Sequence, residues 1–291
     1  MFQCCKSKAS ARLVWIPRIR FLRTPLSLMR CNALVLGLVT SLLAGCFGVI
    51  PTRNPILGIP LNGVVSDHRL VVFLPGRGDV AGDFRRKGLL EAFRDVDANT
   101  DVIAVQAHMG YYLKREVVDR VYHDILQPAI AAGKTDITLV GISLGGLGAL
   151  LIEREHPGLI VRRVLIAPYV GDEKLAGEIH DAGGVDQWQP GEFSPEREPF
   201  RDLWRWIKQQ PSIGEIETTW VLLGTEDRYR RGQELLASQL PPEQTLRQNG
   251  EHNWLAWRSL WQVWLQRHWV REANAKVPLG VKPVSFHHRD S

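Results

Sequence analysis

The chain has 291 residues, 45% of them hydrophobic, enough apolar material for one sizeable core. Its net charge of +5 is unevenly placed: the first 45 residues hold seven of the 36 Lys and Arg and none of the 31 acidic residues, leaving 29 basic against 31 acidic residues in the rest. A slightly acidic body excludes a nucleic-acid-binding surface as the meaning of the basic balance, and the confinement of all four cysteines (Cys4, Cys5, Cys31, Cys46) to the first 46 residues excludes a disulfide framework or cysteine metal site in the remainder.

Residues 1–45 read as a leader. Ala33 to Leu43 is an apolar run of 11 residues, too short to span a bilayer and suited to the h-region of a signal peptide. It runs into Leu43-Ala44-Gly45-Cys46. This resembles a bacterial lipobox, which implies cleavage before Cys46, lipidation of Cys46 and attachment to a membrane of the cell envelope. Phe47, in place of Asp, implies the outer membrane by the same resemblance. Met29-Arg30 suffices to begin a compact signal, so residues 1–28 read as an over-extended start. Residues 46–63, with Pro51, Pro55 and Pro60, read as an extended tether, and the folded domain is expected over 64–274.

Within that domain Val64-Val65 reads as a short edge strand and Arg69 to Leu74 as a buried strand closed by Pro75-Gly76. The spacing predicts a helix over 80–96, a strand over 102–107, a helix over 113–131 and a strand over 136–142. A helix over 144–156 ends at Pro157-Gly158, and a strand follows over 161–167. Residues 169–211 then break the rhythm. About forty residues between two strands, rich in Gly, Pro and scattered aromatics, read as a lid-like insertion or as a surface excursion. Beyond it come a strand over 218–223, a helix over 232–239, a short strand over 244–247 and a closing helix over 254–269. Trp254, Trp257, Trp261 and Trp264 recur on one face of the closing helix and are expected in the core. The tail 275–291 reads as loose. The alternation of short apolar strands with helices predicts an α/β fold, a mostly parallel sheet with helices on both faces.

Ser143 stands in Gly141-Ile142-Ser143-Leu144-Gly145, between a strand and a helix. A serine on so abrupt a turn is forced into a strained backbone and projects from the sheet edge. Its hydroxyl is a poor nucleophile unless an imidazole takes the proton and a carboxylate orients the imidazole. Both partners are expected after the serine, each at the end of a later strand, acid first. Asp227, in Gly224-Thr225-Glu226-Asp227, and His252, in Gly250-Glu251-His252, stand in that order, with Glu226 a rival acid. His68, His123, His156, His180 and His268 follow no strand; His108 follows one but precedes the serine. The N–H of Leu144, first in the helix, is placed to meet an oxyanion, and Arg77 or Gly76 in the glycine-rich turn after the first buried strand is the second candidate donor. Tyr111 and Tyr112, after another strand, are candidate substrate contacts. There is no P-loop lysine, and no His, Cys, Asp or Glu cluster has metal-ligand spacing, so neither cofactor nor metal is expected.

From Arg69 to Trp269 the chain resembles the α/β-hydrolase superfamily, on Leu74-Pro75-Gly76-Arg77-Gly78, Gly141-Ile142-Ser143-Leu144-Gly145-Gly146, Gly224-Thr225-Glu226-Asp227 and Gly250-Glu251-His252. The family's usual His-Gly is Pro75-Gly76 here. The resemblance implies acyl transfer to water through an acyl-enzyme at Ser143, with a small ester as substrate. A thioesterase, peptidase or acyltransferase would use the same residues. A non-catalytic interaction protein of the cell envelope, built on the same scaffold, is the reading from a different class.

Overall fold

A computed structural model of the chain describes residues 51–61, 66, 68–210 and 219–271. The leader, Cys46, the edge strand expected at Val64-Val65 and the tail 275–291 lie outside the described residues. Among the described residues seven strands form one sheet: β1 (Gly58–Pro60), β2 (Arg69–Leu74), β3 (Asp101–Val105), β4 (Asp136–Ile142), β5 (Arg162–Ile166), β6 (Thr219–Gly224) and β7 (Thr245–Gln248). Their order is β1-β3-β2-β4-β5-β6-β7. β2 to β7 pair in parallel, and β1 runs antiparallel on β3.

The strands are apolar on both faces, as a parallel sheet between two helical layers requires. Leu70, Val72 and Leu74 of β2 point to one core and Val71 and Phe73 to the other. In β4, Ile137 and Leu139 oppose Val140 and Ile142 in the same way. In chain order the helices are α1 (Asp83–Arg86), α2 (Leu89–Arg94), α3 (Met109–Leu113), α4 (Val117–Val121), α5 (Gln127–Ala131), α6 (Leu144–Glu155), α7 (Glu173–Asp181), α8 (Pro199–Gln209), α9 (Arg230–Ala237) and α10 (Trp254–Trp264); α4 and α6 cover the first face of the sheet, α2 and α10 the second. Trp257, Trp261 and Trp264 of α10 are buried, Trp261 stands against Phe73 and Phe93, and its Nε1–H donates to the Leu89 carbonyl at 3.0 Å, so these three belong to the core, while Trp254 at the start of the helix is half-buried at its edge.

Three expectations are corrected. The tether does not run free to residue 63. Residues 58–60 are an edge strand on β3, Leu61 N–H donates to Val102 O, Gln106 N–H donates to Leu57 O, and Ile56 and Leu61 are buried. The exposed edge of β3 offers unpaired backbone groups, and this short segment covers them; Pro60 is tolerated because the strand is itself at an edge. The helix expected over 80–96 is two pieces, because Gly88 lies between them with φ of 81°. The one expected over 113–131 is interrupted by Arg115 at φ 59° and by a π-helical turn at Tyr122–Leu126.

The insertion between β5 and β6 packs into the first of the two cores. Val170, Ala176, Ile179, Val185, Trp188, Leu203, Trp204 and Ile207 are buried in the same cluster as Leu165 of β5 and Val221 and Leu223 of β6. Trp204 Nε1–H donates to Val170 O at 2.8 Å. Glu178 of α7 ties the loop to α8: it accepts both nitrogens of the Arg201 fork at 2.6 Å and Trp188 Nε1–H at 2.8 Å. The Arg201 guanidinium holds its carboxyl well below the usual range, at about 2. The aromatics that made the segment look like a lid are the side chains that fasten it.

Candidate active site

β4 delivers its last residues to Ser143, which has φ 50° and ψ −109°, a costly conformation for a residue with a Cβ. The turn is pinned from both sides. Ser143 N–H donates to Ile166 O of β5 at 2.9 Å, and Ser143 O accepts from Gly146 N–H at 3.0 Å and Tyr169 N–H at 2.9 Å. A Cβ at Gly141 would lie 2.3 Å from Gly145 O, and one at Gly145 would lie 2.0 Å from Leu74 O. These are backbone contacts, so no side-chain rotation relieves them. Glycine is required where α6 leaves the sheet beside β2.

The loops after β6 and β7 meet over this turn. Gly224 and Gly250 cross in backbone contact, since a Cβ at Gly224 would stand 2.2 Å from Gly250 O. His252 Nε2 lies 2.9 Å from Ser143 Oγ, and His252 Nδ1 lies 2.7 Å from Asp227 Oδ2. A carboxylate only accepts, so the proton of a neutral imidazole sits on Nδ1 and Nε2 is left to accept the Ser143 hydroxyl proton. The Asp227 side chain is fully buried; its other oxygen accepts Tyr229 N–H at 2.8 Å. Glu226 is exposed and makes no bond to His252. The imidazole is flanked edge-on by Tyr229 at 4.9 Å and Trp257 at 5.0 Å.

Of the candidate oxyanion residues, Leu144 opens α6, where its N–H has no partner within the helix. Gly76 lies against Ser143: a Cβ there would be 3.7 Å from the Ser143 Cβ. Arg77 is exposed at the next position of a turn closed by Asp79 N–H to Gly76 O at 3.2 Å.

Tyr111 and Tyr112 are corrected as substrate contacts. Tyr111 is buried; its hydroxyl accepts Arg53 N–H at 2.8 Å and donates to Arg53 O at 3.0 Å, fastening the segment before β1. The Tyr112 hydroxyl is buried against Gly148 of α6 and Leu74, and burial pushes the phenol well above its ordinary value. His108 caps α3, its Nδ1 accepting Gly110 N–H at 3.1 Å, and burial lowers its basicity. What flanks the serine instead is a chain of half-buried rings: Phe200 on Tyr169 at 5.2 Å, Tyr169 on Tyr229 at 5.0 Å, and Tyr229 on His252. Burial raises the Tyr169 phenol, with Tyr229 and Asp172 adding to the rise and Arg77 opposing it. Tyr169 was detectable in the sequence, since it sits at the carboxyl end of β5, where site residues gather in open α/β sheets. Among the described residues no three His, Cys, Asp or Glu side chains converge on a metal position.

The model of a family described as the alpha/beta hydrolase family matches residues 71–283. No curated protein matches the chain. Similar solved structures include Est1E from Butyrivibrio proteoclasticus, 12% identical with TM-score 0.49, covering 72% of this chain and 90% of that one. A monoacylglycerol lipase from Paleococcus ferrophilus is 15% identical with TM-score 0.46, covering 76% and 95%. The esterase Pf2001 of Pyrococcus furiosus is 15% identical with TM-score 0.45, covering 75% and 97%.

Proposed function

Because the chain belongs to the alpha/beta hydrolase family, we propose that it is a serine hydrolase of carboxylic esters working through an acyl-enzyme at Ser143. The observation that carries this reading is the relay Asp227 Oδ2, His252 Nδ1, His252 Nε2, Ser143 Oγ, with steps of 2.7 and 2.9 Å, on a strained strand-to-helix turn.

In this reading Ser143 Oγ bonds to the ester carbonyl carbon as His252 Nε2 takes its proton. Asp227 stabilises the imidazolium. The carbonyl oxygen, now an anion, is held by Leu144 N–H and by a backbone N–H of the Gly76-Arg77 turn. The carbon–oxygen bond to the alcohol breaks as His252 returns the proton to it. Water, deprotonated by the same imidazole, attacks the acyl carbon; the bond from that carbon to Ser143 Oγ breaks as His252 returns the proton to Oγ, and the acid leaves. The ring chain Phe200, Tyr169, Tyr229 supports an apolar acyl or alkyl group beside the serine.

The test is Ser143-dependent hydrolysis of nitrophenyl esters from acetyl to palmitoyl; absence of Ser143-dependent hydrolysis would sink the ester reading, and a rate indifferent to chain length would argue against a lipid-like ester. Asp227→Asn is expected to lower kcat on the order of 10³- to 10⁴-fold, because the amide no longer holds the required tautomer, while Glu226→Gln stays within twofold. Equal losses in the two would remove Asp227 from its role.

Attachment through Cys46 is part of the same proposal and is supported by Leu43-Ala44-Gly45-Cys46 after the apolar run. In a bacterial host Cys46→Ser is expected to abolish incorporation of labelled fatty acid and to move the protein out of the outer-membrane fraction. Undiminished acylation of that variant would overturn it.

A further inference from the structure

Asp79 has no part in the relay, yet it joins two pieces of the site. It closes the Gly76–Asp79 turn through its N–H, and its Oδ1 accepts Trp254 Nε1–H at 3.0 Å across 175 residues of sequence. Its other oxygen lies against Gly76, 2.7 Å from where a Cβ would stand, while Ser143 Cβ lies 3.7 Å from that same point. Carboxylate and Ser143 side chain therefore face the same space beside Gly76. Trp254 opens α10 two residues after His252, with Asn253 capping the helix through Ala256 N–H at 3.1 Å. The Trp254 ring meets Phe84 edge-on at 5.9 Å and Trp257 at 5.2 Å, and Trp257 meets the His252 ring. The indole is thus held on two sides and offers its N–H in a set direction.

We propose that Asp79 is a positioning residue for ester hydrolysis: through Trp254 it fixes the turn that offers an N–H to the oxyanion relative to the loop that carries His252. The proposal rests on the serine-hydrolase reading above. Its physical basis is that the turn and the histidine loop come from opposite ends of the domain, and the turn has Gly76 and Gly78, the latter at φ 87°, with little side chain to pack. A glycine turn is mobile unless something outside it holds it, and a displacement of about 1 Å at a reacting group costs on the order of 10²-fold. Asp79 itself is half-buried among other charges. Burial raises its carboxyl and Asp83 adds to the rise, while the Trp254 bond, Lys87 and His252 oppose it.

The experiment compares Asp79→Ala, Asp79→Asn, Trp254→Phe and the double variant Asp79→Ala/Trp254→Phe on one nitrophenyl ester, with near-ultraviolet circular dichroism to establish folding. Asp79→Ala and Trp254→Phe are each expected to lower kcat ten- to a hundredfold with KM changed less than threefold, and the double to be no worse than either, since both break one contact. Asp79→Asn keeps an acceptor for the indole and is expected to recover most of the loss of Asp79→Ala. Folded Asp79→Ala with kcat within twofold of the parent, losses that multiply in the double, or Asp79→Asn no better than Asp79→Ala would each overturn the proposal. Should Asp79→Ala not fold, Trp254→Phe with parental kcat overturns it alone. Fluorophosphonate labelling of Ser143 in the parent protein is the control. Without it the serine-hydrolase reading fails; with it, only the role of Asp79 is at stake.

Discussion

Ser143→Ala is expected to abolish fluorophosphonate labelling and to lower kcat for nitrophenyl ester hydrolysis on the order of 10⁴- to 10⁶-fold, with the protein folded as before. The relay has one nucleophilic oxygen, and the imidazole 2.9 Å from it has no other hydroxyl to deprotonate in that direction. Removing Oγ therefore removes the acyl-enzyme route rather than weakening it. What remains is water attack aided by the oxyanion donors, a residual of roughly 10³-fold over the uncatalysed reaction. The alanine costs little in stability, because the strain at φ 50° is held by backbone bonds to Ile166, Gly146 and Tyr169 that do not involve the side chain. A folded Ser143→Ala protein that hydrolyses esters within tenfold of the parent would place the reaction elsewhere.

Gly145→Ala tests the architecture beneath that serine. The new methyl would stand 2.0 Å from Leu74 O and 2.9 Å from Pro75 O, both backbone atoms of the neighbouring strand and its exit. Relief requires α6 to move off β2, which carries Leu144 N–H away from the site and opens the core around Leu74 and Leu147. The expected cost exceeds about 4 kcal/mol, the range in which point substitutions are exceptional, and whatever folds is expected to hydrolyse esters at less than a hundredth of the parental rate. Gly158→Ala is the control. It has φ of 74° with nothing within 4 Å of the added methyl, so it carries only the left-handed penalty of about 1–2 kcal/mol. A denaturation midpoint for Gly145→Ala equal to that of Gly158→Ala would refute the close-packing argument.

The sheet was legible because its strands are short apolar runs bounded by turn residues, a signal that lives within six or seven residues. The same is true of Ser143: strand, glycine, serine, glycine and helix are all local. Their relative positions also followed, since in a parallel sheet the carboxyl ends of successive strands lie along one edge, and that is where Ser143, Asp227 and His252 meet. Glu226 and Asp227 show where local reading stops. They are adjacent, both acidic and both on the turn, and only the crossing of the Gly224 and Gly250 loops turns one carboxylate inward. Tyr111 and Tyr112 sit at a strand end too, yet α3 starts at once, burying Tyr111 in the core and packing Tyr112 against it.

By itself the sequence determined the periodic elements, the both-faced apolar strands, the glycines that a tight crossing needs, and the order in which the three polar residues reach the sheet edge. All of these depend on interactions between near neighbours in the chain. The tertiary structure alone decided that residues 57–61 close the sheet edge, that Trp188 and Trp204 fasten the insertion, that Asp227 and not Glu226 meets His252, and that Asp79 reaches Trp254. Each of these is a contact between distant segments, and its partner is set by side-chain direction and by which surfaces the packed sheet brings within hydrogen-bonding distance.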